Sequence, residues 1–370
     1  MAVYLTLTVV TLLFGAFVHN ADYVKLYREK LPARGGMSRQ QAVNFLMAAA
    51  IFVLLAGVSA CRIAVGNDYW VYRFQFNLIM QGRHVSYEWG FNLVVWLIQS
   101  LFGYDRYLPV FAVFSVATAY FMVKALYDQA EWFAASLFLL MTGGYYFSSL
   151  NSVRYYFVLA ILMYAAKYVL QKEYGKFILW ICFAACFHKS VLIVIPVYIG
   201  AAWLAEKKIP RIFYVSVSIF IASLLLFPEL YRRIIFFFYP FYENSAFDTV
   251  DISVTNIAKC LGVLVLALLY YKSAVGENKV GRFYFLLNLG GLVIYTFANF
   301  IPEISRIGYY LIVTQIFFIP YLLVRIEDKK QRLFFSSCVA LAFIGYFALF
   351  LRSAYSVDIR LLPYLNWIFN

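Results

Sequence analysis

The stretch FILWICFAACFHKSVLIVIPVYIGAAWL, Phe177–Leu204, decides the fold class. It is apolar from end to end except near its middle, where His188-Lys189-Ser190 interrupts it. Polar chain bounds it on both sides, Gln171-Lys172-Glu173-Tyr174-Gly175-Lys176 before and Glu206-Lys207-Lys208 after. A run of about 18 or more apolar residues is long enough to cross the hydrocarbon layer of a membrane. The stretch reads as one long span or as a hairpin of two short helices. An ionisable side chain at bilayer depth costs about 2.5–3.5 kcal/mol. A functional reading of His188 and its neighbours is therefore the default.

The rest of the chain has the same character. It is 64% hydrophobic and 13% charged over 370 residues, whereas soluble domains are about 45–50% apolar and about 25% charged. Long continuous runs, without alternation, exclude a β-barrel and indicate an all-α polytopic membrane protein. No hydrophilic segment is long enough for a separate soluble domain, so residues 1–370 are expected to form one integral membrane domain. The net charge of +13 does not imply nucleic acid, because most basic residues lie in short loops that set membrane orientation. The five cysteines, Cys61, Cys182, Cys186, Cys260 and Cys338, fall in or beside apolar runs and form no disulfide framework. The amino terminus has no basic n-region and reads as a retained first span.

Apolar windows mark spans at 2–19, 42–61, 108–126, 155–170, 212–228, 254–271, 283–298, 307–324 and 333–350. Weaker windows lie at 89–102 and 132–148. With 177–204 these give roughly 11–13 transmembrane or re-entrant helices. The basic loops 20–41, 206–211, 272–282 and 325–332 are assigned to the cytoplasm. Segments 62–88, 229–253, 299–306 and the tail 351–370 are then expected outside, as is the amino terminus. Two topologies fit the middle. In one, 89–102, 108–126 and 132–148 all cross and 177–204 crosses once. In the other, which the charge rule favours, 89–102 fails to cross, Arg154 faces out, 171–176 faces the cytoplasm, and His188 sits at a hairpin tip. Residues 69–83 and 230–242 mix aromatic and polar groups and read as helices lying in the headgroup layer of the outer face.

The outer segments carry more arginine than the charge rule predicts: Arg62, Arg73, Arg83, Arg232, Arg233, Arg306, Arg352 and Arg360, with Arg154 in the favoured topology. Arginine binds phosphate bidentately, so the cluster suits a lipid-linked diphosphate. Arg232, Arg233, Arg352 and Arg360 read as headgroup anchors. Arg154 and Arg306 each open an apolar helix and are the candidate diphosphate ligands. Asp68 follows the span at 42–61, where it serves either as a general base or as a helix cap. Glu88 precedes Trp89-Gly90-Phe91, where the helix dipole alone would explain it. Glu303 is placed to pair with Arg306. His188 is the best candidate acid or base, since histidine ordinarily titrates near neutrality. Cys182, Cys186 and His188 lack a fourth ligand for a metal. Neither a metal nor a cofactor is expected.

Five pieces recur in order: Asn67-Asp68-Tyr69-Trp70-Val71-Tyr72, then Glu88-Trp89-Gly90-Phe91, Ser152-Val153-Arg154-Tyr155-Tyr156, Cys186-Phe187-His188-Lys189-Ser190-Val191-Leu192, and Ser305-Arg306-Ile307-Gly308-Tyr309-Tyr310 with Pro320 beyond. Together they resemble the EpsG family of bacterial exopolysaccharide proteins, within the Wzy-type polymerases. Where the family pattern has a glutamine after the middle arginine, Tyr155 stands here. The resemblance implies a multi-pass protein of the bacterial inner membrane with a GT-C-like fold. It implies an enzyme that joins undecaprenyl-diphosphate-linked oligosaccharide units on the outer face, working in the lipid bilayer beside a chain-length regulator. On that reading His188 and Asp68 are catalytic. Arg154, Arg306, Arg73, Glu88, Tyr69 and Tyr309 contact the substrate.

Three other functions compete. A flippase or transporter of lipid-linked sugars would show inverted repeats with broken helices in matching halves, and none is evident. An O-antigen ligase shares the donor chemistry, and such ligases usually carry a larger outer domain than the short segments here. An acyltransferase would place its histidine near the cytoplasm, against the favoured topology.

Overall fold

The computed structural model describes residues 1–19, 38–104, 106–207, 211–238, 240, 243–245, 252–298, 300–301 and 303–368. Most of the loop 20–41, whose basic charge assigned it to the cytoplasm, lies outside the described residues with Lys25, Arg28, Lys30 and Arg34, as do parts of 206–211, 229–253 and 299–306. The described residues form helices throughout, and their one pairing of extended backbone is an isolated bridge between Arg62 and Asn366. Among the described residues, seven helices are long and apolar enough to span a membrane, and six shorter apolar helices accompany them. The protein is a multi-pass membrane protein.

Two compact units divide the chain, Met1–Leu192 with Ile326–Asn370, and Ile193–Arg325. The first contains α1 (Ala2–Ala16), α2 (Arg39–Ala60), α3 (Asp68–Met80), α4 (Trp89–Phe102), α5 (Leu108–Gln129), α6 (Phe133–Thr142), α7 (Tyr145–Ser148), α8 (Val153–Leu170) and α9 (Tyr174–Ala185). The second contains α10 (Val194–Glu206), α11 (Arg211–Leu226), α12 (Pro228–Phe238), α13 (Val254–Leu269), α14 (Lys279–Phe297), α15 (Ile304–Ile312) and α16 (Gln315–Val324). The last helix, α17 (Lys329–Ser353), returns to the first unit.

Several apolar windows come out shorter or broken. The helices within 2–19, 212–228 and 254–271 have 15, 16 and 16 residues, or about 23–24 Å at 1.5 Å per residue. Pro228 opens a new helix where the second window ends. The window 132–148 divides at Gly143-Gly144, and 307–324 divides between Ile312 and Gln315. The Phe177–Leu204 stretch breaks after α9, passes through a 3-10 turn at Lys189–Ile193, and resumes as α10. His188 lies at that break.

In the first unit the centre is α8, packed against α5 and α9, with α5 also against α2. Its ends are fixed by polar contacts. Near one end, Lys167 Nζ meets Asp128 Oδ2 at 2.6 Å and Gln129 Nε2 donates to the Met163 carbonyl at 2.7 Å. At the other, Arg154 and Ser152 lie beside Glu88 and Asp68. The start of α5 belongs to this second end, because Tyr107 stacks edge-on against Tyr69. The end of α4 lies beside that of α3, where Tyr104 Oη meets Gln81 Nε2 at 3.3 Å. Both ends of α4 therefore lie on the side of the unit that carries α3. Residues 171–173 lie at the Asp128 end, since Lys167 holds α8 there.

In the second unit, Asn288 and Gln315 form a buried polar link within the apolar packing. Gln315 Nε2 donates to Asn288 Oδ1 at 2.7 Å, and Asn288 Nδ2 donates to the Cys260 carbonyl at 3.1 Å. Arg282 donates to the Ala205 and Gly276 carbonyls at 2.5 and 2.6 Å. Part of the loop charge thus satisfies backbone acceptors near helix ends.

Candidate active site

At the Asp68 end of the first unit, four of the five sequence pieces meet. Asp68 opens α3 without capping it. No side chain caps this helix. Instead the Asp68 N–H donates to Asn151 Oδ1 at 2.9 Å, and Oδ2 accepts from Ser152 Oγ at 2.9 Å. Gly66 makes this approach possible. Its φ is +93°, and a Cβ would lie 2.8 Å from both Asn151 Cα and the Leu150 carbonyl oxygen. Only glycine fits there without strain.

Two residues after Ser152, Arg154 sits in the first turn of α8. This is the positive end of the helix dipole, an unfavourable place for a cation. Glu88 compensates. Its Oε2 accepts from Arg154 Nη1 at 2.5 Å, and its Oε1 accepts from the Lys189 backbone N–H at 3.1 Å. Glu88 was read either through the dipole of α4 or as a substrate contact; its carboxylate pairs with Arg154 across the fold, and no side chain caps α4. The Arg154 guanidinium carbon stands 3.6 Å from the centre of the Tyr87 ring. Burial pushes the Tyr87 phenol up to about 12, with Tyr72 adding to the shift and Arg154 opposing it. The ring under the guanidinium is therefore a neutral phenol at physiological pH. Arg154 Nε is buried and has no partner among the described residues.

The break after α9 brings His188 to the same place. Gly90 N donates to the Cys186 carbonyl at 3.0 Å, and a Cβ on Gly90 would come within 2.7 Å of that oxygen. The start of α4 thus presses directly on the 186–190 turn. His188 Nδ1 lies 3.1 Å from Ser190 Oγ, and its ring packs edge-on against Tyr155 at 5.7 Å. The ring next to Arg154 in the chain thus packs on the histidine.

Asp68, Ser152, Arg154, Glu88 and the His188–Ser190 turn are linked by contact or by adjacency in the chain. Tyr69 is buried and stacks on Phe111 at 4.6 Å, so it supports α3 from behind. Arg73 lies over Tyr107 and Trp70, at 4.5 and 5.6 Å. Arg306 and Tyr309 belong to the second unit. There Arg306 Nε pairs with Glu303 Oε2 at 2.7 Å, as the sequence suggested, and Tyr309 packs against Cys260, Tyr295 and Ile312. Among the described residues, no group of three His, Cys, Asp or Glu side chains is placed to hold a metal ion.

Sequence reasoning passed over Tyr87 and Asn151, and gave Ser152 a place in a motif without a role. Their signal was adjacency, since each lies within three residues of Glu88 or Arg154. It also counted Arg62 among exposed outer arginines, and Arg62 is 1% exposed.

The EpsG family model matches residues 45–366. The chain belongs to the EpsG family. This is a family of Wzy-type polysaccharide polymerase-like membrane proteins, and the match includes all four pieces of the site. No curated protein and no solved structure matches the chain. The EpsG membership indicates a polysaccharide polymerase-like function.

Proposed function

We propose that this protein polymerises undecaprenyl-diphosphate-linked oligosaccharide units at the outer face of the bacterial inner membrane. The observation that carries the reading is the meeting of Asp68, Arg154, Glu88 and the His188 turn at one end of the first unit. A glycosyl transfer from a lipid diphosphate needs a base for the acceptor and a cation for the leaving group. This cluster holds both, and the chain has no nucleotide-binding loop. A hydroxyl at the non-reducing end of a new unit attacks the anomeric carbon of the growing chain. The bond from that carbon to the diphosphate oxygen breaks as the new carbon–oxygen bond forms. Asp68 takes the hydroxyl proton, with His188 as the second acid–base group. The lipid diphosphate departs with the bonding electrons, and Arg154 meets its charge with Nε. Arg73 and Arg306 are assigned as further phosphate contacts, Tyr309 as a sugar contact, and a chain-length regulator as a partner.

The test uses a strain deleted for the gene, with its lipid-linked glycans resolved by gel and mass spectrometry. A single repeat unit with no ladder, rescued by wild type and not by Arg154→Ala or Asp68→Asn, supports the proposal. Full-length polymer retained on its carrier would instead indicate a ligase. Units trapped on the cytoplasmic leaflet would indicate a flippase.

A further inference from the structure

Between Ala60 and Asp68 the chain has no helix, so its backbone N–H groups need acceptors from elsewhere. The segment after α17 supplies them. Ile63 donates to the Leu365 carbonyl at 3.0 Å, Gly66 to Arg360 at 2.8 Å, and Asn67 to Ile359 at 3.1 Å. In return Trp367 N donates to the Cys61 carbonyl at 3.0 Å, and Tyr364 Oη donates to Val58 O at 2.9 Å. The carbonyl facing Gly66 comes from Arg360, whose backbone is left-handed at φ 49°.

Arg62 anchors the same segment from within. Its Nη1 donates to the Ser59 carbonyl at 2.5 Å, to Ser59 Oγ at 3.1 Å and to Ser115 Oγ at 2.7 Å. The guanidinium lies 5.2 Å from the Phe111 ring, the same ring on which Tyr69 stacks. No carboxylate among the described residues pairs with it. Burial lowers its pKa, while Tyr146, Tyr4, Tyr69 and Tyr364 oppose that shift. A buried cation without a counter-ion is costly, and here it is spent on fixing the residues that lead into Asp68.

We propose that residues 354–368 form a strap that positions Asp68, pressing the 61–67 segment against Asn151 so that the carboxylate stays beside Ser152. The strap rests on the assignment of Asp68 as the base. Among the described residues it forms no hydrogen bond with Arg154, Glu88 or Tyr87, so its loss bears on turnover rather than on diphosphate binding.

The experiment compares the full-length protein, a variant lacking residues 356–370, Trp367→Pro and Asp68→Asn. The probe is the lipid-linked repeat unit extracted from the deletion strain. Removing the strap lowers kcat by about ten- to a hundred-fold with KM within about two-fold, as expected when a reacting group is misplaced by about an ångström. Trp367→Pro, which removes one N–H, costs about two- to five-fold. Amide exchange rises in the peptide spanning 61–68 and stays low across 108–129 and 153–170. Wild-type kcat in the shortened protein, with Asp68→Asn inactive, overturns the strap alone. An active Asp68→Asn overturns the assignment of the base and the strap with it. Loss of protection throughout 108–129 and 153–170 would mean general unfolding, and also overturns it.

Discussion

Arg154 shows how one residue's surroundings set its chemistry. It sits at a helix start that repels it, over a neutral phenol, and is held by one carboxylate at 2.5 Å. Replacing Glu88 with Gln leaves the shape and removes the charge. We predict a loss of about 1–3 kcal/mol in stability, the worth of a charge-assisted hydrogen bond, read as a lower melting temperature in detergent. Arg154→Lys keeps the charge but loses Nε and the planar fork. It should form less than about a tenth of the wild-type polymer, against the 1.4 kcal/mol that such a factor represents, while the protein inserts normally. A ladder of wild-type length from the lysine variant would remove bidentate binding from the mechanism. The sequence made Arg154, Asp68 and His188 visible because polar groups stand out in apolar chain. It hid the role of Glu88, because a pair 66 positions apart leaves no local period. It hid the burial of Arg62 for the same reason, since Ser115 and the strap that cover it are distant in the chain.

At the scale of elements, hydropathy found nearly every helix but not where helices stop. A window average does not register Gly143-Gly144 or the turn at His188, since the flanking residues on both sides are apolar. Those breaks matter most at α4, whose first turn lies against Cys186. Gly90→Ala would set a methyl 2.7 Å from the Cys186 oxygen and push α4 from the turn. A forced shift of this kind costs about 1–3 kcal/mol and separates Glu88 from Lys189. Gly57→Ala in α2 is the matched control, since a Cβ there meets nothing within 4 Å. Polymer length and melting temperature should fall in the first variant and hold in the second. Equal behaviour of the two would show that the approach of α4 is not needed.

For the molecule, the helix directions of the first unit are compatible with the topology that the charge rule favours. α4 starts and ends on the side that carries α3, and α8 runs from the Asp68 end toward Lys167 and Asp128. This is the topology that leaves 89–102 out of the membrane-crossing set. The positive-inside rule narrowed the choice to two because it counts the charges of loops and does not weigh a short apolar helix. The prediction is made with single cysteines in a background lacking the native ones. Gln81→Cys and Tyr104→Cys should react with an impermeant thiol reagent added from the periplasmic side, and Glu173→Cys should not. Labelling of Tyr104→Cys and Gln81→Cys from opposite sides would restore 89–102 as a span.

The pairing of Tyr364 with Val58, separated by 306 positions, also orders events in time. On the ribosome, Asn67 and Asp68 emerge long before Ile359 and Arg360, so the seat of Asp68 stays unfinished while all the intervening helices are made. Closing so long a loop is slow, and it comes after insertion of α17. A nascent chain stalled before residue 354 should leave a cysteine at position 67 open to alkylation, and release of the finished chain should close it. On the proposed function, Asp68 therefore takes its place only after residues 354–368 have been made.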